Sequence, residues 1–215
     1  MKSFLPVLMV LMVSGDRDVT INSTIEDSVL LPCPCKNRNP DMEFRWQMES
    51  PRQAKVYLTT SGFNDSYKNR AKIFLTEDKY NCSLLLTNVT AEDQGKYRCS
   101  FSEEDTYTMS FIHLNVSAQY NVCRSPAHHV NDIVKEFQCD VEGRYRDTEV
   151  QWYLDGHVLT KSPTTKITFT STLNISTGLY SFKSTIKLSG TSEPTCEVQA
   201  KGISTRVSNN CMGKD

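Results

Sequence analysis

The chain has 215 residues, of which 38% are hydrophobic, and its formal net charge at pH 7 is −1. This length is enough for two domains of about 100 residues, each with its own core. A nearly neutral chain lacks the clustered excess of Lys and Arg that a nucleic-acid surface needs, so we expect no nucleic-acid partner. The eight cysteines are instead typical of an extracellular chain held together by disulfides.

Residues 1–15 have the pattern of a secretory signal peptide. Lys2 precedes ten apolar residues, 4–13, and Val13-Ser14-Gly15 forms a small-residue cleavage site. Ten residues are too few to span a bilayer, which takes about 20, so we expect cleavage rather than an anchor. No other apolar run approaches that length, so the sequence predicts an extracellular protein, held on the plasma membrane only by a segment outside this chain and otherwise secreted.

Six Asn-x-Ser/Thr sequons agree with passage through the secretory pathway. They are Asn22, Asn64, Asn81, Asn88, Asn115 and Asn174. Glycans must point into water, so a face that carries them is a poor surface for binding another protein.

Residues 16–118 are predicted to form a β-sandwich, because short alternating or apolar runs are separated by polar turns. The runs cover residues 28–31, 43–48, 55–59, 83–89 and 106–116. Trp46 lies thirteen residues after Cys33, and Cys99 follows several dozen residues later. A disulfide between two packed sheets with an indole against it fills the centre of an immunoglobulin sandwich. Tyr97, two residues before Cys99, stands where a tyrosine corner belongs.

Residues 119–215 repeat this pattern with Cys139, Trp152 and Cys196, and the Trp again lies thirteen residues after the first Cys. Strands are expected at 136–141, 149–154, 166–170, 181–188 and 195–200. The second Cys follows the Trp by 53 residues in the first domain and by 44 in the second. The nine extra residues fit added C′ and C″ strands, so we expect an all-β chain of two tandem immunoglobulin-like sandwiches, variable-type and then constant-type. Pro194 occupies the second domain's corner position, so that tyrosine tie is expected to be absent.

The remaining four cysteines pose a pairing problem. Cys35 points into the same core face as Cys33, and if Leu84 lies level with Cys33, then Cys82 lies near Cys35, close enough for a disulfide. In an ideal sandwich, Cys123 and Cys211 are expected near opposite ends of the second domain, too far apart for a disulfide. Either the terminal segments fold back or these two cysteines pair between chains, and the sequence does not decide. A metal site at Cys33-Pro34-Cys35 is disfavoured because no second close Cys or His pair accompanies it.

The sequence contains no nucleophile elbow, phosphate loop or zinc-protease helix, so we expect neither enzymatic activity nor a cofactor. Glu103, Glu104 and Asp105 lack the alternating carboxylates of a calcium loop. We interpret them as a solvated loop between strands F and G, at the rim of a face where variable-type domains meet partners.

One face of the first domain is the candidate binding surface. Because Trp46, Tyr97 and Cys99 point inward, their neighbours should point outward: Arg45, Gln47, Lys96, Arg98 and Ser100. Residues that either border this face or fill the core are Val56, Tyr57, Tyr107, Met109 and Phe111. The sequons Asn22, Asn81 and Asn88 are assigned to the opposite sheet or its edges, which would leave this face free of glycans.

Several stretches resemble the butyrophilin-related ligands that costimulate or inhibit T cells. They include Arg45-Trp46-Gln47, residues 67–71, 83–89 and 114–118 in the first domain, and residues 150–153 and 178–181 in the second. Within that family, the doubled cysteine of residues 31–35 and the interdomain join look most like the group of the inducible T-cell costimulator ligand.

The resemblance implies a ligand whose CC′FG face docks a receptor on T cells. By position, the implied contact residues are Arg45, Gln47, Tyr57, Arg98 and the loop 102–107, which includes Glu103, Glu104, Asp105 and Tyr107. A cell-adhesion module or a secreted decoy are the alternatives, and the chain could form a dimer.

Overall fold

The structure is a computed structural model that describes residues 18–103, 106–163, 165–209 and 211. The predicted signal peptide lies outside these residues and stays a prediction. The first nine strands are β1 (Val19–Thr24), β2 (Val29–Leu31), β3 (Arg45–Ser50), β4 (Ala54–Leu58), β5 (Gly62–Phe63), β6 (Ala71–Ile73), β7 (Leu84–Leu86), β8 (Gly95–Glu103) and β9 (Thr106–His129). The next seven are β10 (Val134–Gly143), β11 (Thr148–Leu154), β12 (His157–Leu159), β13 (Lys166–Asn174), β14 (Leu179–Ser189), β15 (Thr195–Ala200) and β16 (Ser204–Ser208). A short 3-10 turn, Ala91–Asp93, is the one helical element in the described ranges, and none of their helices could span a membrane.

The first domain packs two sheets against each other. One has the order β9-β8-β3-β4-β5 with β1 parallel to β9, and the other has the order β2-β7-β6. This is the G-F-C-C′-C″ arrangement of a variable-type domain facing strands B, E and D, so the extra residues after Trp46 form C′ and C″. Trp46 is fully buried between the sheets, and its indole Nε1 donates a 2.7 Å hydrogen bond to the Cys82 carbonyl.

Two disulfides cross-link the first domain. Cys33 pairs with Cys99 at a Cα–Cα distance of 6.4 Å, and Cys35 pairs with Cys82 at 5.7 Å. The strand register differs from the one assumed in predicting the second bond: Leu84 lies opposite Leu31, not opposite Cys33. The backbone N–H of Cys82 instead bonds to the Cys33 carbonyl, so the Cys35–Cys82 bond is diagonal across the two segments.

The second domain has one sheet ordered β13-β14-β10-β9 and another ordered β12-β11-β15. The first is the D-E-B-A sheet of a constant-type domain, which confirms the predicted fold class. Trp152 is buried between the sheets and donates a 2.9 Å hydrogen bond to the Ser184 hydroxyl, and Cys139 is joined to Cys196. The last strand, β16, pairs in parallel with β9 rather than extending the sheet beyond β15.

The two domains share one strand. β9 runs for 24 residues, and its first half pairs with β8 while its second half pairs with β10. The sequence predicted a strand over residues 106–116 that closes the first domain, with the second domain beginning at 119. Ala118 and Tyr120, however, are buried in the second core. Their burial fixes residues 118–120 as a continuation of the strand.

Cys123 and Cys211 are disulfide-bonded within the chain, at a Cα–Cα distance of 5.5 Å. The expectation that they lie at opposite ends was wrong because Cys123 lies within β9 and the last strand, β16, runs parallel to β9 toward it. Ser208 of the short strand β16 lies opposite Asn121 of β9. Cys211, three residues after Ser208, is therefore close to Cys123, two residues after Asn121. The interchain alternative is therefore not needed.

Tyrosine ties differ between the domains. The Tyr97 hydroxyl donates a 2.7 Å hydrogen bond to the Asp93 carbonyl, which is the predicted corner. Burial raises the pKa of Tyr97 well above its usual range. In the second domain Pro194 is buried at the corner position. There Tyr120 makes a different link, 2.7 Å to the hydroxyl of Thr148, which donates in turn to the Tyr145 carbonyl.

Candidate protein-binding face

The outward side of strands β3, β8 and β9 forms one continuous sheet surface, which we call the GFC face. Gln47, Arg98 and Phe111 lie side by side across the three strands in one row. The next row is Arg45, Ser100 and Met109. The neighbours of Arg45, Gln47 and Arg98 along their strands are buried in the core, so the alternation of a β-strand places these two rows on the outward side of the sheet.

A charged cluster lies near the centre of the GFC face. Arg98 Nε is 2.9 Å from Glu49 Oε1, with a geometry closer to an ion pair than to an aligned hydrogen bond. Gln47 Nε2 donates a 2.5 Å hydrogen bond to the same carboxylate oxygen, and Arg98 Nη1 lies 3.8 Å from the Met109 sulfur. The Arg98 and Glu49 side chains are only 25% and 22% exposed, so the pair is partly desolvated before any partner binds.

Apolar side chains border the charged cluster along β9. Tyr107 and Met109 are exposed, and Phe111 is half-buried with the Lys96 ammonium 4.2 Å from its ring centroid. These three side chains lie in outward-facing register positions and do not fill the core. This side of the GFC face therefore presents both apolar and positively charged groups.

Other predicted residues have different environments. Val56 is fully buried in the core, and Tyr57 is half-buried with its ring 5.8 Å from Phe44 and 4.9 Å from Phe63. Ser100 was expected to be exposed but is completely buried, because Arg45 and Met109 flank it on the neighbouring strands. Its hydroxyl has no hydrogen-bond partner among the described residues.

At the rim, Arg45 lies 3.6 Å from Glu43, and Glu103 is half-buried at the end of β8. Glu104 and Asp105 fall outside the described residues, so their part in the face stays a prediction.

Sequence reasoning missed Glu49, although its signal was available. It stands on the same strand as Arg45 and Gln47 with the same alternation, two residues further on. It also missed Asp18, whose Oδ2 lies 3.4 Å from both Lys96 Nζ and His113 Nε2 at one end of the face. No strand was predicted before residue 28, so nothing placed Asp18 beside β9.

Two sequons lie on this sheet, contrary to the expectation for Asn22. Asn22 of β1 is opposite Asn115 of β9, both are exposed, and their side-chain amides are 3.2 Å apart. The assignment of Asn22 to the opposite sheet was wrong because β1 pairs with β9. Asn115 is four residues from Phe111, about 13 Å along the strand, so glycans there would border the face rather than cover the Arg98 cluster.

All eight cysteines form disulfides, including Cys33 and Cys35. Among the residues that the structure describes, no three His, Cys, Asp or Glu side chains converge to form a group that could hold a metal ion.

Residues 18–117 match the immunoglobulin V-set domain, so the first domain is a V-set domain. Human junctional adhesion molecule B is 26% identical over 199 residues, which cover 86% of this chain and 63% of that protein. Butyrophilin subfamily 1 member A1 of Bos taurus is 28% identical over 123 residues, covering 52% and 22% of the two chains. The CD166 antigen of Bos taurus is 23% identical over 151 residues, covering 65% and 25%.

The chain thus contains an immunoglobulin V-set domain and is similar to butyrophilins, junctional adhesion molecule B and CD166. The chain spans less than two thirds of the length of each of the three relatives. The activities of the whole relatives therefore bear on this chain only as proposals.

Proposed function

We propose that the chain is an extracellular ligand that binds a costimulatory or inhibitory receptor of T cells through its GFC face and so modulates T-cell activation. On this proposal it acts outside the cell, on the plasma membrane or secreted. Among ligands of such receptors we assign it to those of the inducible T-cell costimulator, on the basis of the doubled cysteine of residues 31–35.

The observation that carries the proposal is the Arg98–Glu49 pair with Met109 and Phe111 beside it. Binding energy in protein interfaces concentrates in arginine and aromatic side chains that are already packed and poorly hydrated. Arg98 is held in place by Glu49 and the Met109 sulfur, so less side-chain entropy is lost when a partner binds. A sheet surface of this composition suits a protein partner better than a small molecule, which needs a concave pocket.

The class of partner is supported by relatives and by domain order. A butyrophilin is among the matched proteins. In this chain the V-set domain is followed by a constant-type domain, the order implied by the resemblance to the butyrophilin-related ligands. Both features favour a receptor on T cells over an unrelated partner.

The test is binding of the secreted chain to a panel of recombinant T-cell costimulatory and inhibitory receptors by surface plasmon resonance. We expect one receptor to bind, Arg98→Ala to weaken that binding at least tenfold, or about 1.4 kcal/mol, and Arg98→Lys to weaken it less. Arg206→Ala is the matched control, because Arg206 is exposed on β16 of the second domain. Failure of well-folded protein to bind any receptor of the panel would contradict the proposal.

Cell adhesion is the second candidate, favoured by the similarity to junctional adhesion molecule B over 86% of the chain. In that case beads coated with the chain would aggregate with one another, and Arg98→Ala on both bead populations would abolish the aggregation. Aggregation without receptor binding would select adhesion over the T-cell ligand.

A further inference from the structure

Strand β13 is the longest free sheet edge in the described part of the chain. It has nine residues and pairs only with β14, in an unbroken antiparallel register from Lys166 to Asn174. The other edge strands, including β1 and β15, have six residues or fewer. All of β13 except Ile167 is exposed, so its outer row of backbone N–H and C=O groups faces solvent.

The usual protections of a sheet edge are absent from β13. Natural edge strands carry charged side chains, prolines or bulges that prevent pairing with another chain. From Ile167 to Asn174 the strand has no charged residue, no proline and no bulge. Its only charge is that of Lys166, at the very start.

The inner side of this edge presents apolar surface to solvent. Ile167 packs against the second core, and the Phe169 ring stacks on buried Phe182 at a centroid distance of 6.0 Å. Residues of the same alternation point the same way, yet Phe169 is 46% exposed and Leu173 is 48% exposed. A further strand placed along β13 would cover both side chains.

We propose that β13 is a homodimer interface, in which it pairs antiparallel with β13 of a second copy about a two-fold axis at Thr170. In this register Lys166 lies opposite the partner's Asn174, Ile167 opposite the partner's Leu173, and Thr168 opposite the partner's Thr172. Ile167 and Leu173 meet, Phe169 lies opposite the partner's Ser171 beside the axis, and no like charges face each other.

The partner is a second copy rather than an unrelated strand because residue types recur when the strand is reversed: Ile167 matches Leu173, and Thr168 matches Thr172. Phe169 against Ser171 and Lys166 against Asn174 are the exceptions. The outer side of β13 is a row of threonines, and Thr168 already shares a 2.6 Å hydrogen bond with Thr185 of β14. Thr170 would extend this row to its own symmetry mate across the axis. The sequon Asn174 lies on this outer side, so a glycan there would project from the sheet rather than fill the edge.

The experiment is analytical ultracentrifugation of the secreted chain between about 1 and 100 μM, the range that weak dimers require. We expect a monomer–dimer equilibrium in the wild type. Thr170→Lys and Thr170→Glu should each weaken dimerisation at least tenfold, because each places like charges opposite each other at the axis. An equimolar mixture of the two variants should form heterodimers, which also shows that both variants fold.

Thr20→Lys, on exposed strand β1 of the first domain, is the matched control and should dimerise as the wild type does. Asn174→Gln tests whether a glycan affects the result. A wild type and an Asn174→Gln variant that are both monomeric throughout would overturn the proposal. So would a dimer that Thr170→Lys leaves intact, or a mixture of the two charged variants that fails to associate.

Discussion

The guanidinium of Arg70 donates two hydrogen bonds to the carboxylate of Asp93, one to each oxygen and each 2.6 Å long. The Asp93 side chain is completely buried and also accepts a 2.8 Å hydrogen bond from the Thr90 backbone. The hydrogen bond to Asp93 raises the pKa of Arg70 above its usual value. The pair fastens the segment before β6 to the 3-10 turn that leads into β8.

Arg70→Ala should lower the free energy of unfolding by about 3–5 kcal/mol, because it leaves a buried carboxylate without its partner. Arg70→Lys should recover only part of this loss, since one ammonium cannot satisfy both oxygens. Urea denaturation followed by tryptophan fluorescence measures the difference. Arg52→Ala is the control: the Arg52–Glu92 pair is solvent-exposed, and we expect a change below about 1 kcal/mol.

Alkaline pH should destabilise the first domain through Tyr97. Burial raises the pKa of this tyrosine in the folded state above the ordinary value near 10 of the unfolded chain. The stabilising contribution is therefore complete below about pH 10 and is lost as the pH rises further, because only the unfolded chain releases the proton. Urea titrations between pH 7 and 11 should show a steeper loss of stability above pH 10 in the wild type than in Tyr97→Phe. Equal slopes in the two proteins would contradict this.

Ser184→Ala should destabilise the second domain by about 1–3 kcal/mol. The Ser184 hydroxyl accepts from the Trp152 indole and donates 3.0 Å to the Thr168 carbonyl, so its removal leaves a buried N–H without a partner. Denaturation monitored by tryptophan fluorescence gives the magnitude. Ser181→Ala, on the same strand but only half-buried, should change stability by less than about 0.5 kcal/mol.

Replacing Cys35 and Cys82 together by alanine should cost about 2–4 kcal/mol, since the bond closes a segment of 47 residues in the unfolded chain. The Cys33–Cys99 bond remains in this variant, so the domain should still fold. Urea denaturation measures the loss, and the unchanged mass of the intact protein after thiol alkylation checks the remaining disulfides. A variant as stable as the wild type would show that the diagonal bond adds nothing.

The two domains should unfold in one calorimetric transition. Ile25 and Ile203 each pack against both hydrophobic cores, and Gln94 of the first domain donates a 2.9 Å hydrogen bond to the Gly202 carbonyl of the second. Ile203→Ser should remove about 1–2 kcal/mol of apolar contact and separate the transition into two. Ile175→Ser is the control, because Ile175 is 91% exposed and contributes to neither core. Two transitions already present in the wild type would contradict the coupling.

The spacing of cysteine and tryptophan predicted both sandwiches because a disulfide and an indole that fill one core tolerate few other arrangements. Alternation around Trp46 and Tyr97 likewise placed Arg98 and Gln47 on one face. What the sequence did not reveal depends on contacts between distant segments. Asn22 lies on the sheet of the GFC face because β1 pairs in parallel with β9. Ser100 occupies an outward position by strand alternation but is buried by residues of the neighbouring strands. The disulfide partner of Cys123 depends on the parallel pairing of β16 with β9, which the sequence did not predict.

Strand β9 also has a mechanical consequence. Phe111 and Cys123 belong to the same unbroken strand, twelve residues apart, which corresponds to about 40 Å of extended backbone. A force applied through a partner bound to the GFC face therefore acts on the same strand that the Cys123–Cys211 disulfide fixes in the second domain. Tension passes along this segment without stretching a linker, so the lifetime of a bound complex under load should depend on the direction of the pull.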